Sequence, residues 1–467
     1  MTTKTRRHKS SRPKTVLPFA FVSLLAAIGM GETVFAVHVP SALSKYKTIV
    51  DDVLVTTNDQ TIQSHTFTLD TAQDVLVQAD GSYYPTQWKH GRAQMKIKID
   101  GVDSGTSSAI DWRPISSVNP VRHSFNCIRM ASLAAGTHTI ELKAHLPDQI
   151  GFYVGSGSCL GILVNPGRLS SVSGTAANIN VQSDHISDYR KLPSVNIMTA
   201  GITSKNEDVI VLASGYGQKS NNYVGRNGDM MWMIHLNQKF MGENYSLSPV
   251  NDCWEGAEQQ APMFAHARFP GKMIGASGTI SLEASEFPWL KAPPCPQLLT
   301  YDVPGADMIV LGGGLGVCGS ANNCIPGDKG REFQEFQNIG GHVTGSPPLN
   351  EWGKICEGTI TIPDGHNGIV MVCAKARFQG DEKDEGGYGL LRIKIDGAWV
   401  GSVGLQELRK PAGISQRTVC TSYLTSESGT RLSVGSHAVE AWGMANGTFK
   451  SFRHLSIHRE TILVWFD

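Results

Sequence analysis

Two histidines invite a reading as acid–base groups. His138 and His437 each follow a glycine by two residues and precede a glutamate by three, in GTHTIE at 136–141 and GSHAVE at 435–440. An imidazole held beside a carboxylate is the usual general acid–base arrangement. Strand geometry works against it here, because a spacing of three puts His138 and Glu141 on opposite faces. The matching segment GTISLE at 278–283 carries Ile280 in the histidine position. An apolar substitute within the same chain marks a structural slot, so packing or hydrogen bonding is the expected role. Asp100 and Asp396 each precede a glycine at the end of an alternating strand, with Asn237 in the matching place. They read as turn residues that accept backbone N–H bonds.

Other candidates are weaker in pattern. Asp381, Asp384 and Glu385, with Glu382 among them, place four acids in five residues ahead of Gly386 and Gly387. Hard oxygen ligands on a glycine-containing loop suit Ca2+. The spacing is not that of an EF-hand, and a solvated loop is the competing reading. No other cofactor is expected. GLGVCG at 314–319 matches G-x-G-x-x-G. The residues after it, running to Pro326 and Gly327, offer no helix to complete a dinucleotide site. No G-x-S-x-G elbow, H-E-x-x-H pair or P-loop occurs in the sequence. A carboxylate pair for glycoside hydrolysis can come from anywhere in a fold, but nothing marks one out.

Aromatic loops are the strongest binding signal. Tyr83, Tyr84 and Trp88 fall in one, and Tyr216, Asn222, Tyr223 and Arg226 in another. Rings that stack, beside amide and guanidinium donors that fix orientation, suit sugar or protein recognition. The alternative is that the rings cap the open ends of a sandwich. Nine cysteines are present. An odd number leaves at least one thiol unpaired within the chain. Proximity along the chain suggests Cys127–Cys159, Cys253–Cys295 and Cys318–Cys324 as bridges in an oxidising compartment.

The elements that carry these residues recur three times. DVLVQA at 74–79, DVIVLA at 208–213 and GIVMVCA at 368–374 are short apolar runs suited to buried strands. MKIKIDG at 95–101, MWMIHLN at 231–237 and LRIKIDG at 391–397 are alternating strands ending in a turn. The three glycine-led segments around 136, 278 and 435 come next, followed by closing runs at 160–164, 308–311 and 462–466. From Val75 to Asp100, Val209 to Asn237 and Ile369 to Asp396 the separations are 25, 28 and 27 residues. Four landmarks in one order, three times, predict an all-β chain of three tandem antiparallel β-sandwich, jelly-roll-like domains. They are placed at 55–166, 196–314 and 355–467, with linkers at 167–195 and 315–354. The landmarks resemble general jelly-roll features of viral, phage and bacterial surface proteins, a likeness that transfers no site residues.

The N-terminus is basic through Lys14, apolar from Val16 to Met30, and ends in Val34, Phe35 and Ala36. That order reads as a secretory signal over residues 1–36, cut after Ala36. The competing reading is an uncleaved anchor from Val16, interrupted by Pro18 and Glu32. Either way the remainder is expected to be secreted or on a cell or particle surface. Lys+Arg and Asp+Glu are 41 each, so no long-range field favours nucleic acid. The expected function is an exported structural or adhesive component, a fibre, sheath or spike-like subunit without catalysis. Its expected partners are other copies, other surface proteins or glycans. The alternatives are a carbohydrate-binding array using the aromatic loops, and a hydrolase with an unmarked carboxylate pair.

Overall fold

The computed structural model describes residues 44–86, 91–112, 123–179, 194–203, 207–219, 228–248, 260–288, 301–313, 332–337, 351–366, 368–380, 387–408, 415–425, 431–447 and 456–466. The chain is all-β, with one short helix, α1 (Gly271–Ile274), among the described residues. The strands pair antiparallel in five sheets. Ala42–Asp467 form one compact unit.

The first ten strands are β1 (Ser44–Thr48), β2 (Val53–Val55), β3 (Gln60–Leu69), β4 (Gln73–Pro85), β5 (Gly91–Ile99), β6 (Val102–Trp112), β7 (His123–Leu133), β8 (Gly136–His145), β9 (Phe152–Val154) and β10 (Cys159–Val164). Eight more follow: β11 (Arg168–Ile179), β12 (Val195–Ile202), β13 (Asp208–Lys219), β14 (Gly228–Leu236), β15 (Lys239–Ser248), β16 (Gln260–Phe269), β17 (Gly278–Pro288) and β18 (Tyr301–Gly313). The last eight are β19 (Glu332–Gln337), β20 (Gly353–Ile362), β21 (Val370–Gly380), β22 (Gly387–Ile395), β23 (Ala398–Leu408), β24 (Ser415–Leu424), β25 (Gly435–Gly447) and β26 (Ser456–Phe466).

One strand order is written three times. The inner sheets run β1-β10-β4-β7, β11-β18-β13-β16 and β19-β26-β21-β24. The outer sheets run β3-β8-β5-β6, β12-β17-β14-β15 and β20-β25-β22-β23, the last joined through β23 and β7 to the first inner sheet, so that six four-stranded layers make five sheets. Setting aside the small β2–β9 addition, each set of eight is ordered 1-8-3-6 over 2-7-4-5, the two-sheet arrangement of a jelly roll. The segments 167–195 and 315–354 are therefore not pure connections, because they contain β11 and β19, the first strands of the second and third rolls. β11 is an edge strand with little buried surface, and its Ser-rich sequence gives no apolar run to mark it.

Each roll has its own core. Val75, Val77, Ile97 and Ile140 share one, Val209, Val211, Trp232 and Ile280 another, and Val370, Val372, Ile393 and Val439 the third. A fourth core lies between the rolls and takes Leu76 and Leu163 from the first, Ile210 and Ile309 from the second, and Met371 and Leu424 from the third. The central strands β4, β13 and β21 are thus buried on both faces, which is why they read as apolar runs, whereas β5 alternates strictly. Side-chain parity also shifts the alignment by one. Val370, not Ile369, matches Val75 and Val209, since Ile369 faces the shared core.

The packing between rolls is cyclic. β6 lies against β13 and β16, β15 against β24, and β23 against β4 and β7, where Gln406 and His123 pair. The residue five places beyond each matched valine bridges one of the three seams. Asp80 meets Ser402 and Ser422 of the third roll. Ser214 Oγ accepts the Ile128 N–H of the first at 3.0 Å. Lys375 Nζ donates to the His266 carbonyl of the second at 3.4 Å.

Candidate functional site

The structure separates the aromatic loop residues. Tyr83 is 1% exposed and packs against Phe125 and Phe152 at ring separations of 5.9 and 6.1 Å. Its ring belongs to the first core and has no free face for a ligand. Tyr84, one residue on, points the other way, as strand alternation requires. It is half-buried, stacks on Tyr153 at 5.1 Å and donates its hydroxyl to Asp52. Tyr216 is half-buried on β13. Trp88, Asn222, Tyr223 and Arg226 lie outside the described residues, as do Asp381, Asp384 and Glu385. Among the described residues no cluster of three or more His, Cys, Asp or Glu could hold a metal ion.

The paired histidines act with the turn aspartates rather than with the glutamates. Asp100, Asn237 and Asp396 all have positive φ, of 51, 50 and 50°. Each accepts a backbone N–H from the facing strand, that of Thr139, Thr279 or Ala438. In the outer two copies the second carboxylate oxygen meets a histidine, His138 Nδ1 on Asp100 at 2.8 Å and His437 Nδ1 on Asp396 at 2.6 Å. The other ring nitrogen meets a carbonyl, of Ala134 at 2.9 Å or Ser433 at 2.7 Å. Both nitrogens are committed to acceptors, so neither is left to take a substrate proton. The pair is a structural latch on the turn.

Two acceptors favour the doubly protonated ring. For His138 the Asp100 bond and the Ala134 carbonyl raise the pKa above the ordinary imidazole value. For His437 burial opposes, but the same two kinds of partner outweigh it. A raised histidine pKa gives stability that is complete below the unfolded value, near 6.5, and is lost as pH rises through the folded one. His437→Ile, which installs the middle copy's residue, is expected to cost about 1 kcal/mol at pH 5.5. The cost should shrink at pH 9. Urea unfolding at the two pH values checks this, and an equal cost at both would remove the ionic contribution.

Cys127 and Cys159 do not form the expected bridge; both are free thiols. β4 runs between their strands, pairing Ala79 with Cys127 on one side and Asp80 with Cys159 on the other. Neighbouring residues of β4 face opposite ways, so Cys127 enters the first core while Cys159 faces the seam. Burial pushes the Cys127 thiol up to about 12, and its Sγ donates to the Met95 carbonyl at 3.3 Å. Cys356, Cys373 and Cys420 are likewise thiols in no disulfide. Cys253, Cys295, Cys318 and Cys324 lie outside the described residues.

The outer sheets differ most where their exposed faces can be compared residue for residue. On the first roll that face is an ion-pair network. Lys98 meets Asp59 at 3.1 Å and Asp103 at 3.4 Å, and Lys143 meets Glu141 at 2.9 Å. On the second, Glu283 collects His235 at 3.2 Å, Ser281 at 2.9 Å and Ser194. On the third, three tryptophans replace three charges. Lys98 pairs across the sheet with Asp103, and Lys394 pairs with Trp399. Thr61 pairs with Lys143, and Lys354 with Trp442. Trp352 precedes Lys354 by two residues, as Asp59 precedes Thr61.

The three rings touch in a row. Trp352 and Trp399 are 5.2 Å apart at 54°, and Trp399 and Trp442 are 5.8 Å apart at 71°. Lys394 Nζ lies 4.3 Å from the centre of Trp399 and 3.9 Å from that of Trp442. Arg392 lies 5.0 Å over Trp399. Cations at these distances are attracted to the ring faces. Trp442 Nε1 donates to Glu440 at 2.9 Å, and Lys354 reaches the same carboxylate at 3.4 Å. This is the best-defined candidate binding surface among the described residues. Trp352, Trp399 and Trp442 carry no motif or common spacing that sets them apart in the sequence. Aligning the first and third copies beyond their landmarks would have found all three.

No family model and no curated protein matches the sequence. Among solved structures, PNGase F, a glycosylasparaginase from Flavobacterium meningosepticum, is 11% identical. The match covers 57% of this chain and 95% of that one, at a TM-score of 0.25. The tandem CBM22-1–CBM22-2 domain of Paenibacillus barcinonensis Xyn10C is 10% identical over 58% and 91% of the chains, at a TM-score of 0.16. A structure of infectious bursal disease virus, Gt strain, is 8% identical over 89% and 85%, at a TM-score of 0.22. At these values none of the likenesses carries a functional argument.

Proposed function

We propose that this chain is a non-catalytic structural component of an extracellular or particle surface, three jelly rolls fused into one rigid block. One observation carries the reading. The inner sheets, which in an isolated roll would present a broad face, are spent on one another around the shared core of Leu76, Ile210 and Met371. Cyclic closure of this kind is how separate subunits build a symmetric particle. Here a single chain achieves it, leaving outer sheets and edges for contacts with further copies or with a surface. Export rests on the basic and apolar N-terminal stretch.

Expressed with its N-terminus, the chain is expected to be secreted with Val37 as its first residue. Electron microscopy of the purified product should show a compact three-lobed particle that enters ordered assemblies as concentration rises. A strictly dispersed particle that turns over a glycan or an ester would sink the proposal.

A further inference from the structure

We propose that the face bearing Trp352, Trp399 and Trp442 is a carbohydrate-binding site, taking a pyranose ring against the tryptophans. The inference does not depend on the building-block reading, because a rigid block can carry this face or lack it.

The chain supplies its own control. At the same three places the first roll holds Asp59, Asp103 and Lys143, and there the face is an ordinary solvated ion-pair network. The jelly roll therefore does not need tryptophan at these positions to fold. Three half-buried indoles stand in place of three charges on an outer face, and rings grouped beside polar groups suit contact with a ligand.

The geometry favours a sugar over a flat apolar partner. The rings are tilted at 54° and 71° to one another, so they form a broken trough, not a plane. Lys394 sits over two of them and holds their angle, so a ligand meets a surface already ordered. Polar groups of both signs border the rings. Glu440 accepts and Lys354 donates at one side. At the other, Arg392 Nε is buried and makes no hydrogen bond among the described residues. A buried donor without an acceptor is costly and is relieved by a ligand oxygen. A pyranose offers axial C–H groups to a ring face and hydroxyls that donate to Glu440 and accept from Arg392. Because the border is mixed in sign, the ligand is a polyol and not a highly charged polymer.

The test uses the mature chain and the triple variant W352D/W399D/W442K, which installs the first roll's own residues. Cellohexaose, chitohexaose, polygalacturonate and sialyllactose are titrated while tryptophan emission is followed. The neutral and acidic probes distinguish a sugar held by its hydroxyls from one held by a carboxylate at Arg392. The wild type is expected to bind cellohexaose or chitohexaose saturably with a change in emission, whereas binding of polygalacturonate alone overturns the proposal. The triple variant should lose about tenfold or more in affinity, with its melting temperature unchanged. Trp399→Phe, which keeps a ring, should retain most of the binding and guards against loss through misfolding. No saturable binding to any of the four, or equal binding by the triple variant, overturns the proposal. So does a wild-type dimer that W442K converts to monomer, since the face would then belong to a second copy.

Discussion

Replacing Ile210 by Ala should destabilise all three jelly rolls together, by about 3 kcal/mol, within a single unfolding transition. Ile210 is fully buried in the shared core, opposite its counterparts Leu76 and Met371. Truncating a buried Ile to Ala costs about 2–5 kcal/mol, part in lost transfer energy and part in the cavity left behind. The informative quantity is where that cost appears. If each roll were stable alone, only the middle one would melt earlier, and calorimetry would resolve separate transitions. Because Ile210 also supports the faces of β4 and β21, hydrogen exchange should accelerate in the first and third rolls as well. Faster exchange confined to β13 and its neighbours would show the central core to be incidental contact.

Much of this architecture was legible in the sequence, and the reason is side-chain periodicity. The alternation of β5 and the run in β22 fixed the outer-sheet strands, because one face of each looks outward. The positive-φ turn residues Asp100, Asn237 and Asp396 gave the repeat a sharp end point. The runs at Val75–Ala79 and Val209–Ala213 specify more than the presence of a strand. A strand in a free-standing sandwich has one wet face. Five successive apolar residues at Val209–Ala213, and four of five at Val75–Ala79, imply two dry ones, and hence a neighbour on the far side. The three rolls and the core between them were both written in those segments. β11, the first strand of the second roll, was invisible because it lies at a sheet edge, buries little and needs no apolar pattern.

The functional surface was less legible, for the complementary reason. An exposed face is under no packing constraint, so its residues do not repeat. Tyr83 is aromatic and loop-adjacent in sequence, yet parity along β4 sends it inward beside Phe125. The tryptophans of the third roll stand out only against the charges they replace, and that contrast needs the strand register, which the short landmarks do not supply.

The second large effect concerns the seam between the first and third rolls, where the stability of the protein should fall as pH rises through about 6. Asp80 is 2% exposed, and four donors converge on it. The hydroxyls of Ser402 and Ser422 and the Ser422 N–H come from the third roll, and the Cys159 thiol comes from the first at 3.1 Å. None of these donors carries a positive charge. Burial therefore dominates and raises the carboxyl to about 6, with the hydrogen bonds from Ser422 and Cys159 pulling the other way. The sign follows from the raised value. The unfolded chain ionises near 3.8, so between that pH and about 6 the folded state holds a proton that the unfolded state has released. Stability from this group is complete below the lower value, declines across the interval and is exhausted above the upper one. At 1.36 kcal/mol per unit, a shift of this size corresponds to about 3 kcal/mol.

Asp80→Asn should flatten this slope, because the amide keeps an acceptor for the serines and has no proton to lose. The variant should be the more stable protein at pH 8, by up to about 3 kcal/mol, and lose that advantage at pH 4. Asp80→Ala should be worse than both at acidic pH, by about 1–3 kcal/mol, since it strands the Ser402 and Ser422 hydroxyls inside the seam. Denaturant titrations from pH 4 to 8 on the three proteins separate these outcomes. A wild type whose stability is flat across that range would mean that water or a cation reaches the carboxylate. The third roll would then meet the first through a wet seam, and Ser214 and Lys375 would be the places to look for the tighter joints.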